Sequence, residues 1–141
     1  MKRPWINRNY KWLVPVVCII TIILYLFTSS GLGKIATDLT QAYADNDLYK
    51  NAIENANKDQ RVLKSIGFIK PIDKMVILNG EVRYSENNQK VSTTIKINGE
   101  KGDAKLDIEA YRIDEKWHYD QINVRIFNSS EYTQTIETIK P

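Results

Sequence analysis

The run from Trp12 to Gly33, WLVPVVCIITIILYLFTSSGLG, contains no charged residue, and it restricts what the chain can become more than anything else in it. A helix of about 22 residues is roughly 33 Å long, enough to cross the hydrocarbon core of a bilayer. Pro15 falls near the start of the run, where a missing backbone N–H costs least. Trp5, Tyr10 and Trp12, with Arg8 and Lys11 among them, form the mixed aromatic and basic girdle expected at a headgroup interface. The sequence therefore predicts one transmembrane helix over residues 12–33, with the lipid bilayer as its partner.

Charge sets the direction. Lys2, Arg3, Arg8 and Lys11 precede the run and no acid does. The positive-inside rule keeps residues 1–11 as a basic cytoplasmic tail and sends residues 34–141 to the periplasmic or extracellular side of the cell's inner (plasma) membrane. The whole chain carries +3, and the tail alone supplies four positive charges, so the rest is net −1. The basic balance belongs to the tail and predicts no nucleic-acid binding by the remainder. The apolar run exceeds a secretory h-region and lacks an A-x-A site, which favours an uncleaved anchor. Val17 is too bulky for lipoprotein processing at Cys18.

About 105 residues follow the anchor, enough for one small domain. Cys18 is the single cysteine and lies inside the apolar run, so the outer part has neither disulfide nor thiol ligand. Residues 37–67 read as one helix or a broken pair. Thr37-Asp38 can cap a first helix, with Leu39, Ala42 and Tyr43 at helical spacing. Asn46 or Asp47 can cap the next, and Tyr49, Ala52, Ile53 and Ala56 share one face. Asp59 can cap a further short turn, and Gly67 ends it.

From Lys74 the period becomes two, which predicts a sheet over residues 74–139. Val76, Leu78, Gly80, Val82 and Tyr84 form one parity. Val91, Thr93, Ile95 and Ile97 form a cleaner one. Asn98-Gly99 signals a turn through positive φ. Leu106, Ile108 and Ala110 alternate next. Trp117 and Tyr119 have one parity while Ile122, Val124 and Ile126 have the other, so a bulge is expected near Asp120. The expected class is α+β: one or two helices covering a four-to-five-stranded antiparallel meander.

The segment Asn7-Arg8-Asn9-Tyr10-Lys11-Trp12-Leu13-Val14-Pro15 resembles the "RNWKWFVP" approach to the membrane in bacterial proteins of the cytochrome c oxidase assembly factor one family. That family is grouped with the small inner-membrane subunit of the mitochondrial presequence translocase. Ala52 through Val62, Ile66-Gly67, Pro71-Ile72 and Gly80 resemble its helix and first strand. Ile95 through Gly102 resembles its "IPVSGPKG" hairpin, and Ala110, Arg112 and Trp117 follow at its spacings. Glu100 stands where the family has proline, and Tyr10 where it has tryptophan. The resemblance implies a membrane-tethered, non-enzymatic assembly or interaction module without a cofactor, working on respiratory oxidase subunits or another membrane complex. It marks Gly80, Gly99, Lys101, Gly102, Tyr111, Arg112 and Trp117 as candidate docking or family-motif positions. The alternative is an extracytoplasmic domain that binds or senses a small ligand in a pocket between helix and sheet.

Candidate chemistry is sparse. Asp107 and Glu109 share a strand face, a pairing that can serve acid–base work but that a solvated sheet face explains better. His118 is the single histidine and lacks partners for a metal. Met1 and Met75 do not complete a copper set with it. Gly99, Lys101 and Gly102 are explained by a hairpin. Trp117, Tyr119 and Tyr111 could present an aromatic surface, with Tyr111 the exposed one. Asn128-Ser129-Ser130 spells a glycosylation sequon, relevant only in a pathway with that machinery.

Overall fold

The computed structural model describes residues 5–128 and 131–140. The chain divides into two compact units, Met1–Ala36 and Thr37–Pro141.

The first unit is dominated by α1, Trp5–Ser29, a helix long and apolar enough to span a bilayer. It starts seven residues before the expected Trp12, because nothing in WINRNYK breaks a helix. Pro15 therefore sits inside the helix, not in its first turn, and the carbonyl four residues earlier loses its donor. Hydroxyls fold back onto the backbone: Thr21 Oγ1 donates to Val17 O at 2.8 Å and Thr28 Oγ1 to Leu24 O at 3.1 Å, with longer contacts from Ser29 and Ser30 at 3.5 Å. Groups that would be unsatisfied in hydrocarbon are thereby paired within the helix. Gly31, at φ +77°, ends the run, and α2, Leu32–Ala44, follows and continues into the second unit.

In the second unit the helical stripe forms as its spacing requires. α3, Asn46–Lys58, buries Leu48, Tyr49, Ala52, Ile53 and Ala56. Asp59 caps α4, Gln60–Ile66, accepting the Arg61 N–H at 2.9 Å, and Gly67 closes it at φ +75°. The expected Thr37-Asp38 cap does not form. Asp38 lies within α2, buried, and accepts the Tyr84 N–H at 3.3 Å.

Residues 74–78 differ from the expected strand. Asp73 caps them by accepting the Val76 N–H, and Lys74–Leu78 forms a short helix, α5. Its apolar run is too short for periodicity to separate helix from strand. The sheet starts at Glu81. It comprises β1 Glu81–Ser85, β2 Lys90–Asn98, β3 Asp103–Ile113, β4 Lys116–Asn128 and β5 Glu131–Ile139, paired antiparallel in sequence order. The bulge falls at Asp120: Glu109 pairs with Gln121, but Ala110 pairs with Tyr119. That extra residue turns both parities of β4 onto one face. The β3–β4 turn is Asp114-Glu115, both at positive φ, as a two-residue hairpin on twisted strands requires.

One sheet face is apolar and covered. Ile95, Ile97, Leu106, Ile108, Ile122 and Val124 are buried with Leu48, Tyr49 and Ile66 from the helices. Thr93 Oγ1 donates to Glu81 O at 2.8 Å, and its only proton is thereby committed. The buried Tyr49 hydroxyl, 3.2 Å away, is therefore the donor of the bond they share. Tyr119 OH donates to Leu48 O at 2.6 Å and ties α3 to β4.

The Asn98-Gly99 turn forms for a different reason from the expected one. Neither residue adopts positive φ. Instead Ile66–Lys70 runs against the hairpin tip. Lys101 N donates to Ile66 O at 2.8 Å, Glu100 N to Phe68 O at 3.1 Å and Lys70 N to Asn98 O at 2.9 Å. A Cβ on Gly99 would lie 2.2 Å from Ile66 O, whereas one on Gly102 would meet nothing within 4 Å. Gly99→Ala is therefore expected to cost about 3 kcal/mol through forced backbone displacement, and Gly102→Ala no more than about 0.5 kcal/mol. Urea unfolding of the full chain in mild detergent measures both, and equal costs for the two would contradict this account.

Candidate interaction site

The positions singled out in the sequence separate into three places. Gly80 and Gly99 serve packing, while Lys101 and Gly102 belong to the hairpin tip through backbone bonds. A Cβ on Gly80 would stand 2.5 Å from Thr94 O, so the glycine lets the chain leave α5 and pass β2. Lys101 contributes its N–H to the clasp on Ile66 and is exposed. Trp5, Arg8, Tyr10, Lys11 and Trp12 all lie on α1 and are exposed.

Arg112 and Trp117 belong to the second place, a polar knot that sequence periodicity does not reveal. Its centre is Asp45, the residue before α3. Its carboxylate caps nothing. It accepts Arg112 Nη2 at 2.6 Å, Tyr84 OH at 2.8 Å and Gln41 Nε2 at 3.0 Å. The Arg112 guanidinium also lies over the Trp117 ring, 4.3 Å from its centroid, and Tyr84 packs near the same ring. The Asp45 and Arg112 side chains are 11% and 26% exposed. Removing one partner of a fully buried pair costs about 3–5 kcal/mol; Arg112's residual exposure places this pair at the lower end. The knot joins the α2–α3 corner to β1 and β3, and the Asp45 carboxylate accepts its three bonds from within the fold. Within the knot, Arg112 Nε is buried without a partner.

The third place is the uncovered face of the sheet. Tyr111 lies here, its ring stacked on His118 with centroids 5.5 Å apart and planes at 20°. Towards the middle, Asp107 accepts Thr94 Oγ1 and Arg125 Nη2, both at 2.7 Å, and Arg125 Nε as well. Asp107 is thus held by a bidentate ion pair, and Glu109 stands beside it on the same face. A shallow groove of about 280 Å³ runs over Ser92, Thr94, Asp107, Glu109, Gln121 and Asn123. Asn123 Oδ1 is buried there without a partner. This groove lies on the sheet face opposite the helices, not between helix and sheet where a ligand pocket was expected. Among the described residues no group of three or more His, Cys, Asp or Glu side chains could hold a metal ion. Of the sequon, Ser129 and Ser130 lie outside the described residues.

An N-terminal helix fit to span a membrane and a small helix-covered meander together define the class: an α+β chain with a candidate membrane anchor. Residues 15–136 match the family described as cytochrome oxidase complex assembly protein 1, and the chain belongs to that family. The match includes most of α1 and the whole sheet as far as Ile136. It excludes Asn7–Val14, which carries part of the resemblance. No curated protein and no solved structure matches the chain.

Two buried phenols, Tyr49 and Tyr84, and the half-buried Tyr119 give the fold a pH signature. Tyr84 is held well above the ordinary tyrosine value of 10.0, first by burial and then by the Asp45 carboxylate its hydroxyl contacts. Burial also raises Tyr119 and Tyr49. Below the unfolded-state value these groups are protonated in both states, and their contribution to stability is fully present. Above about pH 10 the unfolded chain releases protons that the folded chain retains, so stability falls as pH rises. Tyr84→Phe removes one of the three sites and is expected to flatten that alkaline loss, read by urea unfolding across the rise; an unchanged slope would contradict the assignment.

Proposed function

We propose that the chain is a membrane-anchored, non-enzymatic module that supports assembly of respiratory cytochrome oxidase, with α1 kept as a single-pass anchor, its N-terminus in the cytoplasm and the α+β unit on the opposite side. The observation that carries this reading is the family match over residues 15–136. The basic residues before the apolar run support the orientation. The side chains suited to chemistry support a binding role: Asp45, Arg112, Asp107 and Arg125 are engaged in ion pairs, and the lone histidine is stacked on Tyr111. Tethering to the bilayer raises the effective concentration of the unit towards embedded subunits, so a weak docking interface suffices. Of the positions marked by the resemblance, Tyr111, Lys101 and Gly102 are the ones left to meet a partner, since Gly80, Gly99, Arg112 and Trp117 are occupied within the fold.

Affinity purification of the full chain from membranes in mild detergent tests the proposal. Cytochrome oxidase subunits or their assembly intermediates are expected to be enriched over an unrelated single-span protein purified in parallel. Equal recovery of oxidase subunits with both would contradict it.

A further inference from the structure

Strand register sorts the charges of the uncovered sheet face into rows that cross the strands. Lys96 on β2 stands opposite Lys105 on β3, and Lys105 opposite Arg125 on β4, so three cations lie side by side. Like charges directly opposite one another destabilise a sheet. The next row on the same face, two residues further along each strand and about 7 Å away, holds Glu81, Asp107 and Glu137, with Thr94 and Asn123 between them. The ion pair of Arg125 with Asp107 takes one charge from each row. What remains is Lys96 and Lys105 against Glu81 and Glu137, all four exposed. Lys96 has Asp103 at 3.6 Å and Glu137 has Lys140 at 3.7 Å, both exposed pairs, and such pairs are weak. Within the acidic row, Asn123 Oδ1 is buried without a hydrogen-bond partner.

We infer that this face binds a second copy of the chain, the two sheets meeting face to face about a twofold axis that runs between the cationic and the acidic row. A face of one sign would need a foreign partner. Two adjacent rows of opposite sign are exchanged by that rotation, so each cationic row lies over the acidic row of the other copy. Stacked sheets sit about 10 Å apart, a gap that lysine and glutamate side chains bridge from both sides. The rotation also sets a row of N–H donors above Asn123 Oδ1, the acceptor that lacks one within the fold. One row further out on either side, Glu109 and Asp103 meet as like charges, offset in part by Arg83 on the Glu109 row. Five strands of this length present a face of roughly 20 Å by 30 Å, about 600 Å² per copy. Two such faces reach the lower end of a specific interface, about 1,200 Å² in total. The association is therefore weak, polar and salt-sensitive. It is independent of the proposed role in oxidase assembly.

Sedimentation equilibrium of the full chain in excess non-ionic detergent tests this, reading the protein mass per complex. At low salt the unmodified chain is expected to reach twice the mass of one copy as its concentration rises. In about 0.5 M sodium chloride, where the Debye length is about 4 Å, it is expected to fall back to one. Two charge-swapped chains test the pairing of the rows. Lys96→Glu with Lys105→Glu makes both rows acidic, and Glu81→Lys with Glu137→Lys makes both basic, so each is expected to stay at one copy alone. Mixed in equal amounts they carry complementary rows again and are expected to return to two. A dimer that persists in salt and in both swapped chains is held by α1 or another contact and overturns the inference. So does an unmodified chain that stays single at every concentration, or swapped chains that are folded by circular dichroism yet stay single when mixed. Should a swapped chain fail to fold, the salt dependence of the unmodified chain decides alone.

Discussion

A five-stranded meander with one apolar face cannot remain in water uncovered, and most of the α+β unit follows from that requirement. The row Ile95, Leu106 and Val124 across β2, β3 and β4 is buried because α3 and α4 place Leu48, Tyr49 and Ile66 against the sheet. Burying a side chain of this size stabilises by about 1.5–3 kcal/mol relative to leaving it in water. The opposite face needs no cover because it carries Ser92, Thr94, Asp107 and Arg125. α1 presents a different case. Its apolar surface runs all round the helix and remains exposed within its own unit, which makes it a candidate for lipid where the sheet takes helices.

Two polar devices hold the cover in place. At the hairpin tip, Ile66–Lys70 forms backbone bonds with residues 98–101, and Asn57 supports it by pairing with both the N–H and the C=O of Ile69. At the α2–α3 corner, Asp45 gathers Arg112, Tyr84 and Gln41. Asp38 adds a third function by accepting an amide from β1, a terminal strand of the sheet that would otherwise offer free donors to other chains. These contacts give direction to a burial force that has none, and they explain why polar residues are buried in a core this small.

The strands were legible because alternation needs only neighbouring residues. The bulge was legible for the same reason: the apolar parity changes between Tyr119 and Ile122, and one extra residue restores it. Lys74–Leu78 was misread because a five-residue apolar run fits either period, and the decisive signal was the Asp73 cap. Asn98-Gly99 marked a turn correctly but for the wrong cause, since the glycine admits the Ile66 carbonyl and does not supply positive φ. α1 begins before the apolar run at Trp12 because lipid solubility and helix continuation are separate properties. Asp45 was invisible as a site residue: its partner Arg112 is 67 positions away, and no local pattern links them. Arg112 and Trp117 stood out through family resemblance, while their physical role emerges only from the fold.

The proposed function requires α1 to remain in the bilayer with the α+β unit on the side opposite the basic tail. Protease treatment of intact spheroplasts expressing the full chain with an epitope after Pro141 tests this most directly. The account predicts that the epitope is digested while a cytoplasmic marker survives, and that α1 stays with the membranes after alkaline extraction. An epitope protected until the spheroplasts are lysed, or a chain released into the soluble fraction, would contradict it.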